Sequence, residues 1–312
     1  MNSDFENSFS GKQVMITGGL GMIGSTLANR LVEYGARVTI VDSCMEQYGA
    51  NFNNVDAIKD LIHVNITDIR DRNSLQKAIQ GCDAIVHLVG ILAENPRKGI
   101  THQRIVVEGT KRLLEVAQLA GVKKIVYVSA AGVRPNAPSQ YHQAKWEAES
   151  LVKSSGIPWI IFRPSLLFRS RYSDSHSSQK DDFVATIVRQ FKFSPLVVIP
   201  GLGENLCQPL NVTDFTNAIA HSIEGGSEET VDAGGLNHYT YRKIFKDIVL
   251  ANFNRKLLVR IPIGLMKMLT YCILSRIGPP LLTLDQLLML EEDNIAKPLS
   301  SSPFFKGELT EW

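Results

Sequence analysis

The run Thr17-Gly18-Gly19-Leu20-Gly21-Met22-Ile23-Gly24, followed eighteen residues after Gly24 by Asp42, constrains this chain more than any other feature. Val14-Met15-Ile16 before it is an unbroken apolar stretch, the pattern of a parallel strand buried on both faces. Residues 22–34 then carry apolar side chains at helical spacing. Gly18, Gly21 and Gly24 therefore fall on a strand-to-helix turn. Such a turn needs positive φ, close backbone approach to a pyrophosphate and tight packing of helix on strand, and glycine serves all three. The helix start offers free N–H groups and partial positive charge to phosphates. Asp42 closes the next apolar run, Val38-Thr39-Ile40-Val41, where a carboxylate accepts hydrogen bonds from a ribose diol. The segment predicts an adenine dinucleotide site. A carboxylate here repels a 2′-phosphate, and Ser43 and Cys44 supply no cation, so NAD is favoured over NADP. Arg37, one strand length away, keeps NADP open.

Composition narrows the rest. A chain of 312 residues holds one large domain, or a domain with an appended lobe. A net charge of +2 predicts no nucleic-acid partner. The cysteines at 44, 82, 207 and 272 have no metal-ligand spacing and no CxxC, so neither a metal site nor a disulfide framework is expected. Residues 1–10 are polar and acidic, unlike a secretory leader. The apolar stretch 261–277 is broken by Pro262, Gly264, Lys267 and Arg276, which argues against a membrane span. A cytoplasmic location is expected, with peripheral attachment at the inner face of a membrane as the alternative.

Strand-like and helix-like segments alternate through the first half. Strands are expected at 61–64, 84–89, 124–129 and 159–163, and helices near 71–80, 101–120 and 139–154. Repeated βα units of this length predict an α/β fold, a doubly wound parallel sheet with strand order 3-2-1-4-5-6-7. The dinucleotide-binding domain is drawn at 11–164 and a second unit at 165–312. In that second unit 170–180 is polar and Ser-rich, hence a loop, and 196–224 is expected to return to the sheet. Residues after about 226 read as a small C-terminal helical lobe that closes over a substrate.

Tyr141 and Lys145 stand four residues apart on a predicted helix and so share one face. A phenol is too weak an acid to act as a base at neutral pH, and a lysine ammonium one turn away favours the phenolate. A hydride transfer at a carbinol needs such an acid/base group, and the same lysine can hold a ribose hydroxyl.

The chain resembles the short-chain dehydrogenase/reductase superfamily, in its extended or atypical branch, over nearly its whole length. Thr17 to Gly24 resembles the TGxxGxxG turn of that family's Rossmann sheet. Asp68-Ile69 is similar to its adenine-contacting acid, and His87-Leu88-Val89-Gly90 to its fourth-strand motif. Tyr141 and Lys145 match the catalytic pair, Arg163-Pro164-Ser165 the strand ending beside the nicotinamide, and Gln208-Pro209-Leu210-Asn211-Val212-Thr213-Asp214 the return segment. The resemblance implies cofactor contacts at Thr17, Gly18, Gly21, Met22, Ile23, Gly24, Asp42, Asp68, Ile69, Leu88, Val89, Gly90, Lys145 and Pro164.

Two branches of that superfamily compete. Val41-Asp42-Ser43 and Tyr48-Gly49-Ala50-Asn51-Phe52-Asn53 resemble NAD-dependent nucleotide-sugar epimerases and dehydratases. Val107-Glu108-Gly109-Thr110, Val128-Ser129-Ala130 and Pro279 to Thr283 with Asp285-Gln286 resemble the group containing the nucleotide-binding accessory subunit of respiratory complex I. The first implies hydride chemistry on a small-molecule substrate such as a nucleotide sugar, with a homodimer open. The second implies a catalytically weak or inactive assembly protein docked on a membrane complex through its C-terminal lobe.

One position departs from the extended enzymes. Where they carry a catalytic Ser or Thr, two residues past Ser129, this chain has Ala131. Ser129 either takes over the hydroxyl's role or merely caps the strand, and Ser139 is a weaker substitute. His87 reads as a core or cofactor-lining residue, and His102 and His142 lack partners at ligand spacing. Arg169 and Arg171 read as a solvated basic loop, with a substrate diphosphate as the alternative. Trp146 faces either a dimer partner or the core. The apolar stripe of 261–290 reads as lobe core, with docking on a partner or lipid as the sharper alternative.

Overall fold

The computed structural model describes residues 9–169, 183–270 and 282–312. The polar loop expected at 170–180, with Arg171, and the part of the apolar stripe at 271–281 lie outside these residues.

Seven strands form the central sheet: β1 (Gln13–Thr17), β2 (Arg37–Asp42), β3 (Ile62–Ile66), β4 (Ala84–His87), β5 (Lys124–Val128), β6 (Trp159–Pro164) and β7 (Glu229–Ala233). All pair in parallel, in the order β3-β2-β1-β4-β5-β6-β7. Helices α1 (Met22–Glu33) and α6 (Val212–Glu224) cover one face, while α2 (Arg72–Ala78), α3 (Glu108–Leu119) and α4 (Gln140–Lys153) cover the other. The period of two along β1 divides its side chains between these layers. Val14 and Ile16 enter the core beneath α1 and α6, and Met15 enters the core beneath the opposite helices. Burial on both faces is why these strands read as continuous apolar runs.

The register brings the carboxyl ends together. Thr17 lies opposite Val41 on one side and His87 on the other, His87 opposite Tyr127, and Val128 opposite Phe162. Strand order reverses between β1 and β4, and a crevice for ligands opens at such a point.

Two features differ from the sequence-based expectation. The seventh strand is Glu229–Ala233, inside the stretch expected to be helical lobe, whereas Leu196–Pro200 pairs outside the sheet with Leu257–Ile261. The reason is that β7 is an edge strand: Glu229, Thr230 and Asp232 are half-exposed and leave no apolar run to read. The chain end, placed with the lobe, instead crosses both units. Leu299, Phe304 and Leu309 fill the core beneath α1 and α6, and Trp312 joins the lobe core. Buried Asp214 fixes this tail by accepting hydrogen bonds from the Thr310 amide (2.7 Å) and hydroxyl (3.3 Å). The lobe itself packs α5 (Phe183–Phe191) and α7 (Tyr241–Asn252) over Val197 and Ile199.

Phe304 meets Phe162 edge-on at 6.1 Å, and its carbonyl accepts from His221. Phe304→Ala should lower unfolding free energy by about 3–5 kcal/mol, read from the urea midpoint. A change near zero would show that the tail is not part of the main core.

Candidate functional site

A cavity of about 800 Å³ opens over the carboxyl ends of β1, β2, β4, β5 and β6 and runs beneath the lobe. Its first wall is the glycine turn. Gly18 has φ +73°, and its N–H donates to the Val41 carbonyl at 2.8 Å. A Cβ on Gly24 would stand 2.5 Å from both the Gly18 oxygen and the Gly19 Cα, so the helix could not approach the strand. Gly19, outside the predicted set, is needed as well. A Cβ there would lie 2.6 Å from the Ile40 Cγ2. Gly21 caps α1 without any side-chain hydrogen bond, so amides of the first turn remain for a ligand.

Asp42 ties this turn to the tip of β2. Its Oδ2 accepts from the Leu20 amide at 3.0 Å and its Oδ1 from the Cys44 amide at 2.9 Å. Burial pushes the Asp42 pKa up, and those amide donors oppose the shift. Arg37 sits at the far end of the same strand, about 16 Å from Asp42 along the backbone at the usual rise per residue. Asp68 faces the cavity beside Ile69 in a two-point pair with Arg70 (Nε–Oδ1 2.8 Å, Nη2–Oδ2 2.6 Å), which holds its pKa below the usual carboxylate value. Thr17 is not in the cavity lining. It is fully buried, and its hydroxyl is bonded at 2.6 Å to His87, which in turn meets Thr110 at 2.9 Å. Burial drives the His87 pKa down to about 3, so this neutral chain braces β1 against β4 and α3.

The same cavity holds the Tyr-Lys pair. Tyr141 and Lys145 both line the cavity, with Ser129 and Gly90 beside them. Lys145 is 2% exposed and donates to the Val128 carbonyl at 2.9 Å. Its ammonium lies 4.9 Å from the Tyr127 ring centroid and 6.0 Å from that of Tyr141. Burial lowers the Lys145 pKa to about 7, with Glu149 opposing, and raises that of Tyr141 to about 12. Desolvation thus outweighs the charge effect expected from sequence, and Tyr141 stands as a protonated phenol. The Ser129 hydroxyl is buried and has no partner, whereas Ser139 is spent on capping α4 through the His142 amide. Ala131 also lines the cavity. Leu88, Val89 and Pro164 complete the floor.

Asp285 is the site residue whose role the sequence did not disclose. Its carboxylate accepts from the Gln140 amide at 2.6 Å and the Tyr141 amide at 3.1 Å, and lies 3.7 Å from His102. A lobe side chain therefore caps the helix that carries Tyr141. A Thr283–Gln286 capping box sets the short helix Leu284–Met289 that presents it. Arg169 is turned onto α1, donating to the Met22 carbonyl and the Thr26 hydroxyl. Half-buried Trp146 lies between the cations of Arg163 (5.9 Å) and Lys153 (5.8 Å). An uncapped helix start, a turn with no room for Cβ atoms and an orphaned hydroxyl at Ser129 together fit an adenine dinucleotide.

The model of the NAD dependent epimerase/dehydratase family matches residues 14–234. The chain belongs to that family. The curated relatives it is similar to are of two kinds. The chain is 21% identical over 301 residues to the mitochondrial NADH-ubiquinone oxidoreductase 40 kDa subunit of Neurospora crassa, covering 95% of this chain and 75% of that protein. It is 34% identical over 250 residues to UDP-glucose 4-epimerase 4 of Oryza sativa subsp. japonica, covering 74% of this chain but only 64% of the epimerase. The chain thus spans less than two thirds of that epimerase's length. Among solved structures, a dTDP-glucose 4,6-dehydratase from Streptomyces venezuelae with NAD bound superposes with a TM-score of 0.67 at 21% identity, over 80% of this chain and 84% of that one. The shared fold is the parallel seven-stranded sheet. The family's cofactor is NAD, in keeping with Asp42 at the tip of β2. Among the described residues no helix is long and apolar enough to cross a membrane.

The Lys145 pKa near 7 lies below its ordinary value of 10.5, so between those limits the folded chain binds fewer protons than the unfolded one. Stability should therefore rise with pH across that window. Lys145→Met removes the cost of the buried charge. Its melting temperature should exceed that of the parent most below pH 7, and the gap should shrink toward pH 10. A gap independent of pH would contradict the shift.

Proposed function

We propose that this chain is an NAD-dependent oxidoreductase of the epimerase/dehydratase type, with Tyr141 as its proton-transfer residue. The carrying observation is the convergence of Tyr141, Lys145 and the unpartnered Ser129 hydroxyl on the one cavity that the glycine turn also lines. The first-turn amides of α1 would hold the diphosphate, Asp42 the adenosine ribose, and Asp68 with Ile69 the adenine edge. Lys145 would meet the second ribose, and Leu88, Val89, Gly90 and Pro164 would border the nicotinamide. Bound there, NAD supplies a hydride acceptor or, reduced, a hydride donor.

The residues of the chain then perform the proton chemistry. Tyr141, held as a phenol by burial, donates its proton to the oxygen of a substrate carbonyl, or receives one from an alcohol in the reverse direction. Ser129 donates a second hydrogen bond to that oxygen, in place of the hydroxyl that Ala131 lacks. Lys145, with a pKa near 7, is matched to returning a proton to Tyr141 at neutral pH. Asp285 keeps Tyr141 in place from the lobe, so the position of the acid depends on the packed lobe.

A second reading rests on Ala131 and on the alignment with the Neurospora subunit over 95% of this chain. Under it the chain binds NAD as structural glue and attaches peripherally to a respiratory membrane complex. Ligand bound to the native state alone stabilises it by about 4 kcal/mol at a thousandfold excess over Kd. Tyr141→Phe decides between them. The enzyme reading expects kcat for carbonyl reduction to fall about 10²–10⁴-fold while NAD affinity holds. Full turnover in Tyr141→Phe would remove the proton path. A parent that binds NAD, turns over nothing and sediments with a respiratory complex would establish the second reading.

A further inference from the structure

The cavity has two chemically different halves. Its cofactor half is bordered by the glycine turn, Asp42 and Asp68. Its other half lies beneath the lobe and is walled by Ile187, Phe191, Val198, Phe245, Met266 and Leu290. Ile187 and Phe191 come from α5 and Phe245 from α7, whose apolar sides pack together in the lobe core, while Val198, Met266 and Leu290 come from the lobe segments beside them. From this division we propose that the acceptor subsite takes an uncharged, lipophilic ketone, aldehyde or corresponding alcohol, and not a nucleoside-diphosphate sugar. The inference rests on the NAD-dependent reading above and names its substrate class.

Charge supports the assignment. Among the described residues, Lys145 is the one cation in the lining, and it is bonded to Val128 at the cofactor side. The charged side chains described on the acceptor side are carboxylates: Glu292, ion-paired with Arg134, and Asp293, which accepts from the Leu206 amide. A buried diphosphate needs cations or converging amides, and carboxylates at the same wall repel it. Aliphatic and aromatic walls instead favour burial of hydrocarbon.

The polar atoms left without partners mark where the head of such a molecule lies. His142 is 4% exposed, lines the cavity next to Tyr141, and neither of its ring nitrogens has a partner. The Ser129 hydroxyl and the Asn294 side-chain amide oxygen (Oδ1) are likewise buried, unpartnered and in the lining. Buried polar atoms are normally satisfied, so several orphans along one cavity point to a ligand that supplies the missing bonds. A carbonyl or hydroxyl group would sit among Tyr141, Ser129 and His142, with its hydrocarbon chain running under the lobe. Reduction adds a hydride from NADH to the carbonyl carbon and a proton from Tyr141 to its oxygen. An alcohol and NAD are formed, and the reverse reaction restores the carbonyl.

The test is calorimetric titration of the full chain, with and without NADH, using 2-undecanone and UDP-glucose as probes. The ketone should bind at least about tenfold tighter than UDP-glucose. Met266→Arg should weaken ketone binding at least about tenfold by burying a cation in the apolar wall, with NADH affinity retained. Leu290→Arg serves as the second variant if the first fails to fold. UDP-glucose binding as tightly as the ketone, or no ketone binding at all, would overturn the assignment. The NADH titration is read separately: its failure counts against the NAD reading, while the ketone-to-UDP-glucose ratio measured without NADH still reports on the subsite.

Discussion

The contact of the Lys145 ammonium with the Val128 carbonyl, 2.9 Å long and almost wholly out of water, holds α4 to the end of β5. Around it the rest of the site takes its positions. Tyr141 is set one turn earlier on the same helix, Ser129 follows directly on the accepting carbonyl, and Gly90 leaves room for the ammonium. A Cβ on Gly90 would stand 3.2 Å from the Lys145 Nζ. The low pKa of Lys145 is the physical cost of this arrangement, and it is also what makes the group responsive near neutral pH.

A second constraint acts from across the cavity. Asp42 uses both carboxylate oxygens to fasten the glycine turn to β2, and Asp285 uses both to fasten the lobe to the start of α4. One carboxylate shapes the glycine turn, and the other shapes the start of the helix that carries Tyr141. The tail from Leu299 to Trp312 joins the two, since its side chains enter both cores. The lobe is therefore part of the folded unit rather than an appendage.

The sheet and its ligand crevice were legible because both rest on local patterns. Continuous apolar runs mark strands buried on two faces, and Gly18, at φ +73°, and Gly24, whose Cβ would meet the Gly19 Cα at 2.5 Å, mark a backbone that does not take side chains. The edge strand Glu229–Ala233 was not legible, because its polar alternation resembles loop sequence. Nor was the turn of Thr17 toward His87, which depends on cross-strand register, a long-range property. Asp285 escaped for the same reason: it is separated from Tyr141 by more than a hundred residues, and only the fold brings them together. The competition between charge and burial at Tyr141 and Lys145 is set by depth in the structure, which spacing does not encode.

The central claim is that the first βαβ segment holds an adenine dinucleotide with Asp42 on its ribose. Calorimetric titration of the chain with NAD and with NADP, at equal ionic strength, tests it most directly. The account predicts one NAD per chain and NADP binding at least about tenfold weaker, since a 2′-phosphate would face a buried carboxylate. Tighter binding of NADP, or no heat from either dinucleotide with well-folded protein, would contradict it.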